Sequence, residues 1–168
     1  MPVIIDGNNL LHAARNADTN GPLMGRSMLC DAVGRWAARR TERVHVVFDG
    51  PSPGRDLAKQ IAHPEILVSY SGQSTADAEL ITMLEQDSAA RRLLVVSSDR
   101  EIARAARRRR AQPMRSDEFW ALLQQDLARP EPRPSEPREK RAGLDPAATD
   151  MWLREFGLNE PESSAAPD

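Results

Sequence analysis

The chain has 168 residues, 40% hydrophobic and 29% charged, with a formal net charge of −2. That length suits one domain of ordinary size with a tail. The single Cys30 excludes an internal disulfide framework and a multi-cysteine zinc site, and no apolar run approaches a membrane span.

The near-neutral balance argues neither for nor against nucleic acid. Arginine supplies 21 of the 23 cations. Guanidinium suits phosphate geometrically, but a general arginine bias gives the same count. Asp6 follows only five residues, so no basic region plus apolar stretch of a signal peptide precedes it. A cytoplasmic location is expected. Aromatic residues make up 4%, which leaves no evident stacking platform for single-stranded bases.

Four short runs read as buried strands. Val3–Ile5 stops at Asp6-Gly7-Asn8-Asn9, and Val44–Phe48 stops at Asp49-Gly50-Pro51. Ile66–Tyr70 stops at Ser71-Gly72, and Leu93–Val96 stops at Ser97-Ser98-Asp99. Gln112–Arg115 reads as a weaker fifth strand, and Pro113 would place it at an edge.

Helical spacing fills the intervals. It carries Leu29, Val33, Trp36 and Ala37, then a short stretch around Asp56–Ile61, then Leu80, Ile81 and Leu84. Ile102, Ala105 and Ala106 mark another helix, and Phe119, Trp120, Leu122 and Leu123 the last. Strand alternating with helix predicts an α/β fold with a mainly parallel sheet.

The expected organisation is a folded domain over 1–128 and a Pro/Arg/Glu-rich linker over 129–144. A short amphipathic helix over 145–158 and a tail over 159–168 follow. The linker has nothing apolar from Arg129 to about Arg141, so it cannot bury a core. Met151, Trp152, Leu153 and Phe156 give the 145–158 helix an apolar face. That helix either folds back on the domain or docks on a protein partner.

Three strand candidates end in aspartate: Asp6, Asp49 and Asp99. Asp77 begins the helix after the third strand. In parallel α/β sheets, ligands bind beyond the carboxyl ends of the strands. All four carboxylates therefore belong to one edge. Adjacent strands lie roughly 4.8 Å apart, so neighbouring acids can converge on one ion. Their mutual repulsion, which would raise their pKa values, is removed by a bound cation. Hard oxygen donors with retained waters suit Mg²⁺ or Mn²⁺.

Each acid also has a plainer reading. Ser74-x-x-Asp77 and Ser98-x-x-Glu101 match capping boxes. Asp6 and Asp49 match turn formers before glycine. His12 lies one or two turns beyond Asp6 and reads as a helix or core histidine. His45 and His63 read as structural, and Cys30 as a small buried residue. Arg107–Arg110 is a four-cation run near a helix end, read as either a phosphate binder or a solvated terminus. No glycine-rich nucleotide-triphosphate motif is present.

Taken together, Ile5-Asp6-Gly7-Asn8-Asn9-Leu10-Leu11-His12, Val47-Phe48-Asp49-Gly50, Ser74-Thr75-Ala76-Asp77-Ala78-Glu79 and Val96-Ser97-Ser98-Asp99 resemble the NYN domain family of PIN-like ribonucleases. The YacP-like branch is the most similar. The resemblance covers roughly Pro2 to Leu127, with the four motifs in the family's order. Asn8 stands where the family often has tyrosine.

The resemblance implies a PIN-like three-layer sandwich with sheet order 3-2-1-4-5. It implies an RNA substrate, reached on ribosome-associated mRNA in one version, and endoribonuclease activity dependent on Mg²⁺ or Mn²⁺. It carries the catalytic roles to Asp6, Asp77, Asp99 and Asn9, with Asp49 as a further metal ligand. Arg55, Arg100, Arg107, Arg108, Arg109 and Arg110 are the accompanying candidates for holding the RNA backbone. Water as nucleophile would leave 5′-phosphate and 3′-hydroxyl ends.

Two other readings compete. A phosphoryl-receiver domain also clusters acids at strand ends but needs a lysine at the end of a late strand; Lys59 and Lys140 are not so placed. A catalytically silent RNA-binding or adaptor domain of the same fold would bind without cleaving.

Overall fold

Valine, isoleucine and leucine dominate the strands, as a sheet covered on both faces requires. A computed structural model of the chain describes residues 1–18 and 22–130. Met1–Arg129 forms one compact unit. The elements run β1 (Val3–Asp6), α1 (Gly7–Ala17), α2 (Arg26–Arg40), β2 (Val44–Phe48), α3 (Arg55–Ile61) and β3 (Ile66–Tyr70). They continue with α4 (Ala76–Gln86), β4 (Leu94–Val96), α5 (Arg100–Arg108), β5 (Gln112–Met114) and α6 (Ser116–Ala128).

The five strands form one sheet in the order β3-β2-β1-β4-β5. Every pairing is parallel. Pro113 sits on the edge strand β5, where its missing N–H breaks no interior ladder. The strand order reverses direction between β1 and β4. That reversal opens a crevice beyond their carboxyl ends.

Successive strand residues point to opposite faces. Val3, Ile5, Val46, Phe48 and Val96 pack on one side against Leu10, Leu29, Val33, Phe119 and Leu123 of α1, α2 and α6. Ile4, Val47 and Val95 pack on the other against Leu80, Leu84, Ile102 and Ala105 of α4 and α5. The result is three layers, helix on sheet on helix. Leu80 and Leu84 are one turn apart and fix α4 to the sheet; truncating either to alanine costs roughly 2–5 kcal/mol. Cys30 is buried in the first core, and burial pushes its thiol up to about 12.

A polar clamp ties α2 to α6. Trp36 Nε1 donates to Asp126 Oδ2 at 3.0 Å, and Arg40 Nε donates to the same oxygen at 2.9 Å. Arg40 Nη2 closes an ion pair on it. Arg39 Nη1 donates to the Asp126 carbonyl at 2.9 Å.

No helix among the described residues is long and apolar enough to cross a membrane. The expected linker beyond Pro130, the 145–158 helix and the 159–168 tail lie outside the described residues.

Candidate active site

Asp6 is the last residue of β1 and also the N-cap of α1, because the strand runs into the helix without a loop. It is 2% exposed. Burying a carboxylate requires hydrogen bonds, and Asp6 has three. The Asn9 amide N–H donates to Oδ1 at 2.9 Å, Asn9 Nδ2 donates to Oδ2 at 2.5 Å, and Ser97 Oγ donates to Oδ2 at 3.2 Å. Asn9 is thereby a positioning residue for Asp6.

Gly7 follows because nothing larger fits. A Cβ there would lie 2.6 Å from two ring carbons of Phe48 and 3.0 Å from Val46 Cγ1. Gly7→Ala should lower stability by about 1–3 kcal/mol through overpacking, read by urea unfolding.

Ser97 bridges the crevice. It donates to Asp6 and accepts the Asp99 amide N–H at 3.1 Å. The sequence singled out the aspartates and passed over this serine. Its signal was only the interval between the β4 apolar run and Asp99. Asp99 Oδ1 in turn caps α5, accepting from Glu101 N at 2.5 Å and Ile102 N at 3.4 Å. Among the described residues no partner occupies Asp99 Oδ2.

Asp49 is fixed in a similar way. Its Oδ1 accepts from Ala76 N at 3.0 Å and lies 3.2 Å from Ser71 Oγ. Gly50, at φ +91°, donates its N–H to the same Ser71 hydroxyl at 3.0 Å. That left-handed turn favours glycine. Asp49 thus joins the end of β2 to the start of α4.

Asp77 stands in the first turn of α4, exposed, with no hydrogen-bond partner among the described residues. Its pKa is raised, first by partial burial and then by Asp6, Asp99, Asp49 and Glu101. The four predicted acids therefore do share one electrostatic neighbourhood. Glu101, missed as a contributor, is a fifth. None of the five is in an ion pair among the described residues.

Both expected capping boxes shift by one residue. Thr75, not Ser74, caps α4, accepting from Ala78 N at 3.2 Å. Asp99, not Ser98, caps α5. Asp77 therefore closes no box and is left for the edge. His12 is exposed rather than core. His45 donates to or accepts from Ser69 Oγ at 2.8 Å, and burial lowers its pKa, with Glu79 opposing. His63 Nδ1 accepts the Glu65 N–H at 3.2 Å.

The arginines divide. Arg55 and Arg100 are the first residues of α3 and α5. Those helices start where β2 and β4 end, so both arginines belong to the carboxylate edge. Arg107–Arg110 falls at the opposite end of α5. Nine helical residues at 1.5 Å each put that run roughly 13 Å away. Arg109 is also committed to structure: its Nη2 donates to the Asp87 carbonyl at 2.9 Å. The run does not join the carboxylates.

The family model described as the YacP-like NYN domain matches residues 3–151. This chain belongs to the YacP-like NYN family. The crystal structure of Rae1 (YacP) from Bacillus subtilis is similar, at 19% identity and a TM-score of 0.60, covering 94% of this chain and 90% of that one. A tryptophan-to-leucine mutant of the same Bacillus subtilis protein is similar at 15% identity and a TM-score of 0.56, covering 97% and 87%. These likenesses establish the fold. None of the curated proteins matches the chain. The NYN family is generally one of nuclease-like RNA-processing domains that use divalent metals.

The acids of this YacP-like NYN domain suit such an ion in donor type and charge. They offer hard oxygens, unpaired with cations among the described residues, where Asp49 and Asp99 each keep Oδ2 without a partner. Their spacing sets a limit. Among the described residues no three His, Cys, Asp or Glu side chains lie close enough together to hold one metal. One or two carboxylates with retained waters is the mode Mg²⁺ commonly uses.

Proposed function

We propose that this YacP-like NYN domain is a metal-dependent endoribonuclease that hydrolyses RNA phosphodiester bonds at the carboxylate edge. One observation carries the reading: Asp6, Asp49, Asp77 and Asp99 share the switch-point edge of the sheet, and no cation among the described residues is paired to any of them.

Asp6, Asp77 and Asp99 are the residues to hold one or two Mg²⁺ or Mn²⁺ ions, no more than two of them on any one ion, with Asp49 as a further contributor. When bound, such an ion supplies charge neutralisation and Lewis acidity at a phosphodiester. The chain's own residues do the positioning. Asn9 and Ser97 hold the Asp6 carboxylate still. The α5 amides hold Asp99 by one oxygen, Oδ1. Arg55 and Arg100 supply cations for the RNA backbone beside an edge that otherwise repels it.

The alternative is a silent RNA-binding domain. It is favoured by the missing three-acid group. Incubating the full chain with structured and unstructured RNA in Mg²⁺, Mn²⁺ or EDTA, then identifying the ends, separates the two. The nuclease reading expects metal-dependent cleavage, 5′-phosphate and 3′-hydroxyl ends, and loss of cleavage in Asp6→Asn. Equal cleavage by Asp6→Asn and the parent chain would sink it. Binding with no cleavage in any metal would favour the silent domain.

A further inference from the structure

Beside the carboxylates lies a groove of about 490 Å³. Drug-sized ligands fill pockets of roughly 300–1,000 Å³, so a nucleotide fits its scale. Asn9, His12, Asn16, Ser98, Arg115 and Asp117 supply its polar lining. Two of these residues belong to the edge already described: Asn9 holds Asp6, and Ser98 precedes Asp99. The groove is thus continuous with the candidate active site.

Its side chains are already oriented. Asn16 Nδ2 donates to His12 Nδ1 at 3.1 Å. With Nδ1 accepting, the neutral ring carries its proton on Nε2. Arg115 is held by Asp117 through Nε at 3.0 Å and Nη2 at 3.3 Å. That side-on pair leaves both Nη1 hydrogens without a partner among the described residues, in a planar fork suited to a phosphate oxygen. The ring edge and the amides offer a base hydrogen bonds. No large apolar side chain lines the groove.

We propose that this groove is a nucleotide subsite, receiving one unpaired ribonucleotide next to the bond to be cut. The proposal rests on the ribonuclease reading for the identity of its ligand. A base can enter only if it leaves its stack, so single-stranded RNA is the form accommodated. Arg115 would hold the phosphate, and His12 with Asn16 would face the base. The subsite would set where along a strand the chain cuts.

The test uses the four ribonucleoside 5′-monophosphates as probes on the full chain in EDTA. The His12 ring resonances are followed by NMR. At least one probe should shift them saturably, and Arg115→Ala should weaken that binding about tenfold, as should His12→Ala with the same probe followed by calorimetry. In Mg²⁺, His12→Ala should redistribute cut positions on a single-stranded RNA ladder. No saturable shift with any probe overturns the proposal, as does an unaltered cut pattern in a cleaving His12→Ala protein. If the chain never cleaves, saturable nucleotide binding that Arg115→Ala weakens still supports the subsite while the nuclease reading fails.

Discussion

Asp77 and Asp126 are the same residue in opposite electrostatic company. Asp126 is 8% exposed and surrounded by donors: Trp36, Arg40 and Arg129 all reach its carboxylate. The Arg40 hydrogen bond, with help from Trp36 and Arg129, lowers its pKa. Asp77 has no donor among the described residues and four acidic neighbours, and its pKa is raised. The first carboxylate is completed by the fold. The second is left incomplete among the described residues, with a negative field that suits a cation. Matched acids report on stability, and unmatched acids report on a site.

The comparison can be broken most sharply by activity. Asp77→Asn should leave unfolding by urea nearly unchanged or slightly improved, while RNA cleavage falls by roughly a hundredfold or more, since lost metal stabilisation amounts to several kcal/mol. Retained cleavage would mean that Asp77 is only a helix N-terminal acid. Asp126→Ala should do the reverse. It strands Trp36 and Arg40, whose bonds to a charged group each contribute about 1.5–3 kcal/mol. An unfolding free energy lower by roughly 2 kcal/mol is expected, with cleavage per folded molecule preserved.

Metal gives a smaller effect. A ligand at ten times its Kd stabilises the folded state by about 1.4 kcal/mol. Mg²⁺ or Mn²⁺ should raise the Tm of the parent chain and of Asp126→Asn, but not of Asp77→Asn.

The pH dependence is smallest and sharpens the contrast further. Asp77 binds its proton more tightly folded than unfolded. In EDTA its contribution therefore weakens the fold as pH rises from the ordinary aspartate value through the raised one. Asp126 is depressed, so its stabilisation is present above the ordinary value and lost as pH falls through the lowered one. Comparing Tm against pH for Asp77→Asn and Asp126→Asn should give differences of opposite slope.

Much of this architecture was legible beforehand because strand ends are chemically loud. Asp6, Asp49 and Asp99 follow runs of valine, isoleucine or leucine, and the parallel pairing that puts them at one edge follows from strand–helix alternation. The sheet order came from the family resemblance, and the backbone bears it out. Cap assignments were less legible. Ser74, Thr75, Ser98 and Asp99 all have side chains able to cap, and only backbone geometry selects Thr75 and Asp99. Ser97 and Ser71 were unreadable as positioning residues, because each acts across a strand boundary. Arg107–Arg110, a candidate for holding the RNA backbone, could not be placed relative to the acids beforehand because charge alone carries no direction. The length of α5 decides which end of the molecule it occupies.

The direct passage of β1 into α1 has a last consequence. Asp6 is anchored at the middle of the sheet by a junction that contains no hinge. The peripheral loops can therefore lengthen, shorten or change residue without retuning that carboxylate. Change can accumulate at the rims of this protein while the carboxylate at its centre keeps its place.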